Sequence, residues 1–337
     1  MSKVKEVKQS INKVQIVGII KEMNLELKRD QSIKLKNGEK EKTVTCDVIT
    51  KADFKKPMFL IESNGNDIEL QSFDIQSKRL DKDGEVIDND RFKSYETILN
   101  KYIAKVDCKN GEEPTRVLVN CVLGENAYAS KRQGSEEYMF YSRPQFELTM
   151  FSKITSNNVP ENDYAEGEIS GIIRSIVPEI KNEEETGRLR VEFYSFGYGG
   201  NAVPFDFVIE SDIAEGFSDT YDNGDSCTLY YDFKGVTVGK PKANTTAGFG
   251  RKQTQVVSGY TISEYSIFNG DNKFEEENEY YIDPSIMKEA LQERKIFEED
   301  KIAKRKEKDA DGTTSTKSSN LNGRASKIKI EDEELPF

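Results

Sequence analysis

The chain reads Gly18-Ile19-Ile20-Lys21 near its start and Gly171-Ile172-Ile173-Arg174 far downstream. In each copy four residues follow, then an acidic-apolar pair, Glu26-Leu27 and Glu179-Ile180. Both copies open a β-like run that leads into a polar loop. A second β-like run follows each, Thr43 to Thr50 and Arg188 to Tyr198. Each unit closes on an alternating apolar-aromatic run, Phe146 to Ile154 and Tyr260 to Phe268. Gly-Ile-Ile alone is an ordinary strand opening. The matching order of the later elements is what argues for duplication.

Each unit also holds one short helix. Tyr95, Ile98, Leu99 and Tyr102 recur at helical spacing within Arg91 to Val106. Ser211 to Tyr221 is shorter and starts on a Ser that suits a cap. Asn64-Gly65, between Met58 to Ile61 and Ile68 to Phe73, is a hairpin signal. The order strand, strand, strand, helix, strand, strand fits a five-stranded Greek-key barrel of the OB type. The expected fold is therefore mainly β, with two OB-type five-stranded barrels in tandem over 1–156 and 163–272. A polar linker from Ser156 to Asn162 separates them. Asp283-Pro284 then opens a charged helix over 283–309, whose apolar stripe (Ile286, Met287, Ala290, Leu291) should pack on the second barrel or a partner subunit. Residues 310–337 form a tail, and its Ser-, Thr-, Asn- and Gly-rich part from Gly312 to Ser326 should stay disordered.

Composition removes several functions. The 337 residues include no His, which takes away the commonest general base and the commonest metal ligand together. No Walker-type loop and no GxGxxG occurs. The chain is expected to be neither an enzyme nor a holder of cofactor or metal. A carboxylate-metal nuclease would need clustered acids, and the spacing of Asp47, Asp74, Asp206 and Asp232 selects none. No run is long enough for a membrane span and no secretory signal is visible, so a cytoplasmic location is expected, in a host cell if the protein is viral. The four Cys lack CxxC spacing and fit reduced, buried thiols.

The net charge is −12. From Asp271 to Phe337 there are 18 acids against 13 bases, so the remainder is still acidic. Contact with nucleic acid would have to come from local basic and aromatic surfaces. The strongest such stretch is Arg188 to Tyr198. On a strand, Arg188, Arg190, Glu192, Tyr194, Phe196 and Tyr198 share one face, while Leu189, Val191 and Phe193 make the core face. Cations suit phosphates and flat rings suit unstacked bases. The plain alternative packs Tyr194 and Phe196 under a loop or against the first unit. Phe249, Arg251 and Lys252 fall where an OB barrel has its last hairpin loop. In the first unit Lys131, Arg132, Tyr138, Phe140 and Arg143 occupy the corresponding place, interrupted by Glu136 and Glu137. The loop Lys34 to Lys42 is basic but mixed and reads as solvated.

The last residues are Glu331-Asp332-Glu333-Glu334-Leu335-Pro336-Phe337. This stretch resembles the acidic tip of bacterial and phage single-stranded-DNA-binding proteins, where Asp residues precede Ile/Leu-Pro-Phe. Asn12 to Gly18 (NKVQIVG) is similar to the first strand of bacterial members. Together with the barrel pattern, the chain resembles a phage-type single-stranded-DNA-binding protein. The resemblance implies sequence-independent DNA binding in replication, recombination and repair. It also implies that the tip recruits polymerase, primase, helicase or recombinase, with Phe337 in an apolar pocket and the acids on a basic rim. Family members usually have one barrel per chain and often stack bases on Trp. This chain has two units and no Trp, so the stacking residues do not carry over. A protein-binding or structural OB module without DNA binding is the alternative. Self-association stays open.

Overall fold

The computed structural model describes residues 7–132, 134–155, 160–181, 183–197, 200–238 and 260–310. The protein is mainly β, 53% strand and 18% helix, with a closed five-stranded barrel and a C-terminal helix. The chain opens with β1 (Asn12–Met23), then a long hairpin of β2 (Glu26–Asn37) and β3 (Lys40–Thr50), then β4 (Phe59–Ser63) and β5 (Asn66–Gln71). Short strands β6 (Ile75–Gln76), β7 (Lys78–Leu80) and β8 (Val86–Asp88) lead to helix α1 (Asp90–Lys101). Two long strands follow, β9 (Arg116–Lys131) and β10 (Tyr138–Lys153).

The pairing closes a ring. β1 pairs with β4, β4 with β5, β5 with β10 in parallel, β10 with β9, and β9 returns to β1. That is the strand order of an OB barrel, with the helix between the third and fourth barrel strands. The Asn64-Gly65 turn joins β4 to β5 with φ of 47° and 76°, the left-handed pair that a tight hairpin demands.

The second unit repeats the ring. It comprises β11 (Tyr164–Lys181), β12 (Glu184–Phe196), β13 (Ala202–Ile209), helix α2 (Ala214–Thr220), β14 (Ser226–Val238) and β15 (Tyr260–Gly270). β11 pairs with β12, β12 with β13, β13 with β15 in parallel, β15 with β14, and β14 with β11. α2 starts later than the Ser211 cap suggested, and its N-cap is Ile213, with no side-chain capping bond.

The repeated glycines explain how each ring closes. The first strand must bond one neighbour with its early half and another with its late half, so it bends. A Cβ on Gly18 would lie 2.4 Å from the Glu62 carbonyl oxygen, and one on Gly171 would lie 2.1 Å from that of Tyr194. Only glycine permits both approaches. The partner is β4 in the first barrel and β12 in the second. The counterpart of Arg188 to Tyr198 is therefore β4, and not the run Thr43 to Thr50. That run lies in β3, part of an insertion that forms its own sheet with β2 and β6.

The early halves of β1 and β11 pair with each other, from Asn12 with Ile169 to Val17 with Tyr164. Asn12 opposes Ile169 while Ile16 opposes Ala165, so the register maps onto itself when the two units are exchanged. The barrels thus form a pseudo-twofold pair within one chain. Phe146 of the first meets Phe233 and Tyr265 of the second edge-on, with ring centres 5.5 and 5.9 Å apart.

Helix α3 (Pro284–Ala310) ends the described chain. The Asp283 carboxylate accepts the Ser285 N–H at 2.8 Å, as a cap before Pro284 should. Ile286, Met287, Ala290 and Leu291 pack on the outer face of the second barrel, as the apolar stripe suggested. No helix among the described residues is long and apolar enough to cross a membrane.

Candidate nucleic-acid interface

β9 and β10 outrun their barrel. β9 bonds β1 only through Arg116 to Cys121, and β10 bonds β5 only at Phe146 and Glu147. Beyond those points the two strands pair with each other alone, forming an arm out to Lys131 and Tyr138. Strand alternation gives the arm two faces. One holds Tyr138 and Phe140 with Glu125 and Lys131. The other holds Met139, Tyr141 and Arg143 with Asn126 and Tyr128.

The second face is the open one. Tyr128 and Tyr141 lie directly opposite in register and stack at 5.5 Å with planes 22° apart. Tyr128 is 36% exposed and Met139 is exposed beside it. Arg143 and Arg132 are exposed and have no ion pair among the described residues. Toward the barrel, Asn126, Gln145 and Glu147 on this same face line a groove of about 770 Å³.

The opposite wall of that groove is basic and aromatic. Lys51, Lys55, Arg91 and Lys56, the last paired with Glu22 at 3.3 Å, line it together with Phe54 and Phe73. Those two rings are 66% and 63% exposed, with the Lys28 ammonium 5.7 Å from the centre of Phe54. Arg91 is fixed by donating to the Leu148 carbonyl at 2.9 Å, and its guanidinium lies over the Tyr95 ring at 5.7 Å. Burial lowers the Lys51 ammonium from the ordinary lysine range, against the pull of Glu69 and Asp74. The acids Glu69, Asp74 and Glu147 temper the field. Groove and arm face form one track, since Gln145 and Tyr141 lie on the same face of one strand, four residues or about 13 Å apart.

The second barrel differs. The face assignment of Arg188 to Phe196 holds, with Val191 and Phe193 fully buried in the core. Its outer face, however, is already occupied. Tyr194 and Phe196 are 3% and 1% exposed, packed against Ile282, Ala290 and the first turns of α3. They have no open face on which a base could stack. Arg188 bonds Glu264 at 2.7 Å and meets Glu179 and Glu210 at 3.3 and 3.2 Å. Arg190 bonds Glu179 at 2.7 Å. Both guanidiniums are thus committed to carboxylates, two of them buried, and neither is a free phosphate ligand. Burial alone would raise the Glu179 carboxyl, but hydrogen bonds from Arg190, Lys181 and Thr186 outweigh it and hold the group below its usual range. Tyr198, Phe249, Arg251 and Lys252 lie outside the described residues, as does Glu331 to Phe337.

In the first unit the candidates divide. Arg132 and Arg143 stay accessible. Tyr138 and Phe140 point to α3 instead, where Tyr138 donates to Asp309 at 2.8 Å and Phe140 meets Phe297 edge-on at 6.1 Å. Lys131 is exposed but pairs with Glu136 at 2.6 Å. Lys34 to Lys42 is not a loop but the tip of the β2–β3 hairpin, exposed apart from the buried Leu35, with Lys34 and Lys36 both on Glu41. The sequence pattern does not mark Phe54, Phe73, Lys51, Lys55, Arg91 or Tyr128 as site residues. One signal was available. Tyr138 and Phe140 share parity with the buried Phe146 and Leu148, so the odd positions, Tyr141 and Arg143, were the ones to follow outward.

Two pseudo-twofold OB-type barrels, one with an open basic-aromatic track and one covered by a helix, define the class of this protein. The chain belongs to the YorF family, whose model matches residues 10–304. No curated protein matches it. Among solved structures it is similar to the wild-type single-stranded DNA binding protein from Thermus aquaticus, at 7% identity and a TM-score of 0.40, over 80% of this chain and 97% of that one. A deletion variant of that protein gives 7% identity and a TM-score of 0.39, over 80% and 98%.

Proposed function

We propose that this protein binds single-stranded DNA without sequence preference along the track of the first barrel. The observation that carries the reading is the Tyr128–Tyr141 stack beside Arg143, continuous with a groove that exposes Phe54 and Phe73 among Lys51, Lys55, Lys56 and Arg91. Rings take unstacked bases, and the cations follow the phosphates. The track runs over the third strand and the last hairpin of the barrel, surfaces on which OB folds hold oligonucleotides. Replication, recombination and repair are the processes in which such coating serves. The C-terminal segment Glu331 to Phe337 acts separately, with Phe337 as an apolar anchor and its acids meeting a basic rim on a polymerase, primase, helicase or recombinase.

The test is a titration with oligo-dT, read by tyrosine fluorescence, which no Trp obscures. Quenching at low salt that weakens steeply as salt rises is expected, because phosphate contacts release counterions. Absence of quenching at low salt would instead favour an OB module that binds protein.

A further inference from the structure

Among the described residues, the arm formed by the outer parts of β9 and β10 has no sheet neighbour. A two-stranded ribbon is at best marginally stable in water. Among the described residues, α3 is the element that packs along its outer part, on one face. The helix is anchored at its start on the second barrel, where Ile286, Met287 and Leu291 cover Tyr194 and Phe196. Fifteen ångströms corresponds to about ten residues of helix, so the following turns reach from one barrel to the other's arm.

There Arg294 grips the arm. Its guanidinium makes a fork with the Glu125 carboxylate, one arm of it at 2.6 Å, and both side chains are only 9% exposed. The same group lies over the rings of Phe140 and Phe297 at 5.1 and 5.3 Å, and bonds Glu298 at 2.9 Å. Glu125 and Phe140 sit on the α3 face of the arm; Tyr128, Tyr141 and Arg143 sit on the other face of the same ribbon. A hold on one face therefore fixes the direction of the other.

We propose that Arg294 is a positioning residue for strand binding: through Glu125 it braces the arm so that the Tyr128–Tyr141 face stays in line with the groove of the first barrel. The second barrel then serves as the anchor of the brace. This inference rests on the strand-binding reading above. An unbraced arm still leaves the groove intact, so short strands bind and longer ones lose the arm.

The experiment uses the full chain with Arg294→Leu, and with the exchanged pair Arg294→Glu plus Glu125→Arg. Amide hydrogen exchange is measured over the arm and over both barrel cores. Affinity is measured for oligo-dT of about four and about sixteen nucleotides, the ends of the range for one OB fold. Arg294→Leu should speed exchange in the arm, and weaken the longer oligonucleotide, each by about tenfold, while the barrels and the shorter oligonucleotide change little. The exchanged pair should recover part of both effects, since it restores the ion pair but not the contacts with Glu298 and the two rings. Arm exchange and long-strand affinity at wild-type values in Arg294→Leu would overturn the proposal, as would loss of protection throughout both barrels. If the unaltered chain bound neither oligonucleotide, the strand-binding reading would fall, while the exchange data would still report whether Arg294 braces the arm.

Discussion

Tyr141→Ala and Tyr194→Ala should have opposite consequences, although both residues are strand tyrosines near arginines. Tyr141, partly exposed, lies on the open face of the arm, stacked on Tyr128 at 5.5 Å. Removing it deletes one platform for a base. Such a loss costs about 1–3 kcal/mol of binding, or roughly 5- to 150-fold in affinity. Little stability is lost, since the ring is not part of either core. Tyr194 is 3% exposed and seals the seat of α3 with Phe196 and Ile282. Truncating a buried ring of that size costs about 3–5 kcal/mol of folding free energy. It touches no part of the groove, so the folded molecules should bind an oligo-dT of about four nucleotides, which does not need the braced arm, within about twofold of the parent. The assay is oligo-dT binding by fluorescence anisotropy, with urea unfolding of both variants beside the parent. A large affinity loss from Tyr194→Ala with unchanged stability, together with no effect of Tyr141→Ala, would refute this reasoning.

Three further outcomes are expected. Gly171→Ala would put a Cβ 2.1 Å from the Tyr194 carbonyl oxygen, inside the 3.0 Å that such atoms respect. The second barrel should lose about 1–3 kcal/mol in urea unfolding, and an unchanged midpoint would contradict the closure argument. The Glu179 carboxyl has a folded value below the ordinary 4.5, so its contribution is complete above that pH and is lost as pH falls through the folded value. Melting temperature should therefore fall more steeply below about pH 4.5 in the parent than in Glu179→Gln; parallel profiles would show that the cluster carries no such linkage. Deleting Glu331 to Phe337 should leave oligo-dT affinity equal or higher, since a polyanion no longer competes, and should abolish partner capture in a pull-down. A large loss of DNA affinity would deny the division of labour.

Much of this fold was legible in the sequence because closure of an OB barrel has a local signature. The bend in the first strand needs a glycine, and Gly18 and Gly171 mark it in both units. The Asn64-Gly65 hairpin and the Asp283-Pro284 helix start are equally local. The first unit misled where it carries an insertion. The β2–β3 hairpin separates β1 from its true partner β4, and a run such as Thr43 to Thr50 looks no different in an insertion than in a barrel. The binding surface was less legible for a physical reason. Alternation tells which side chains share a face, but not what covers that face. Arg188, Arg190, Tyr194 and Phe196 do share the outer face of β12. Whether it meets DNA or protein depends on α3, whose start lies some ninety residues later, and on Glu179 and Glu264, contributed by two other strands. Phe54 and Phe73 sit in connecting segments without periodicity, so only the folded chain shows them exposed beside one groove.

The most direct measurement is photochemical crosslinking of oligo-dT to the full chain, with the labelled residues mapped by mass spectrometry. The first-barrel track predicts adducts at Tyr128, Tyr141, Phe54 or Phe73, and none at Tyr194 or Phe196. Adducts concentrated at Tyr194 and Phe196, with the arm and groove unlabelled, would contradict it.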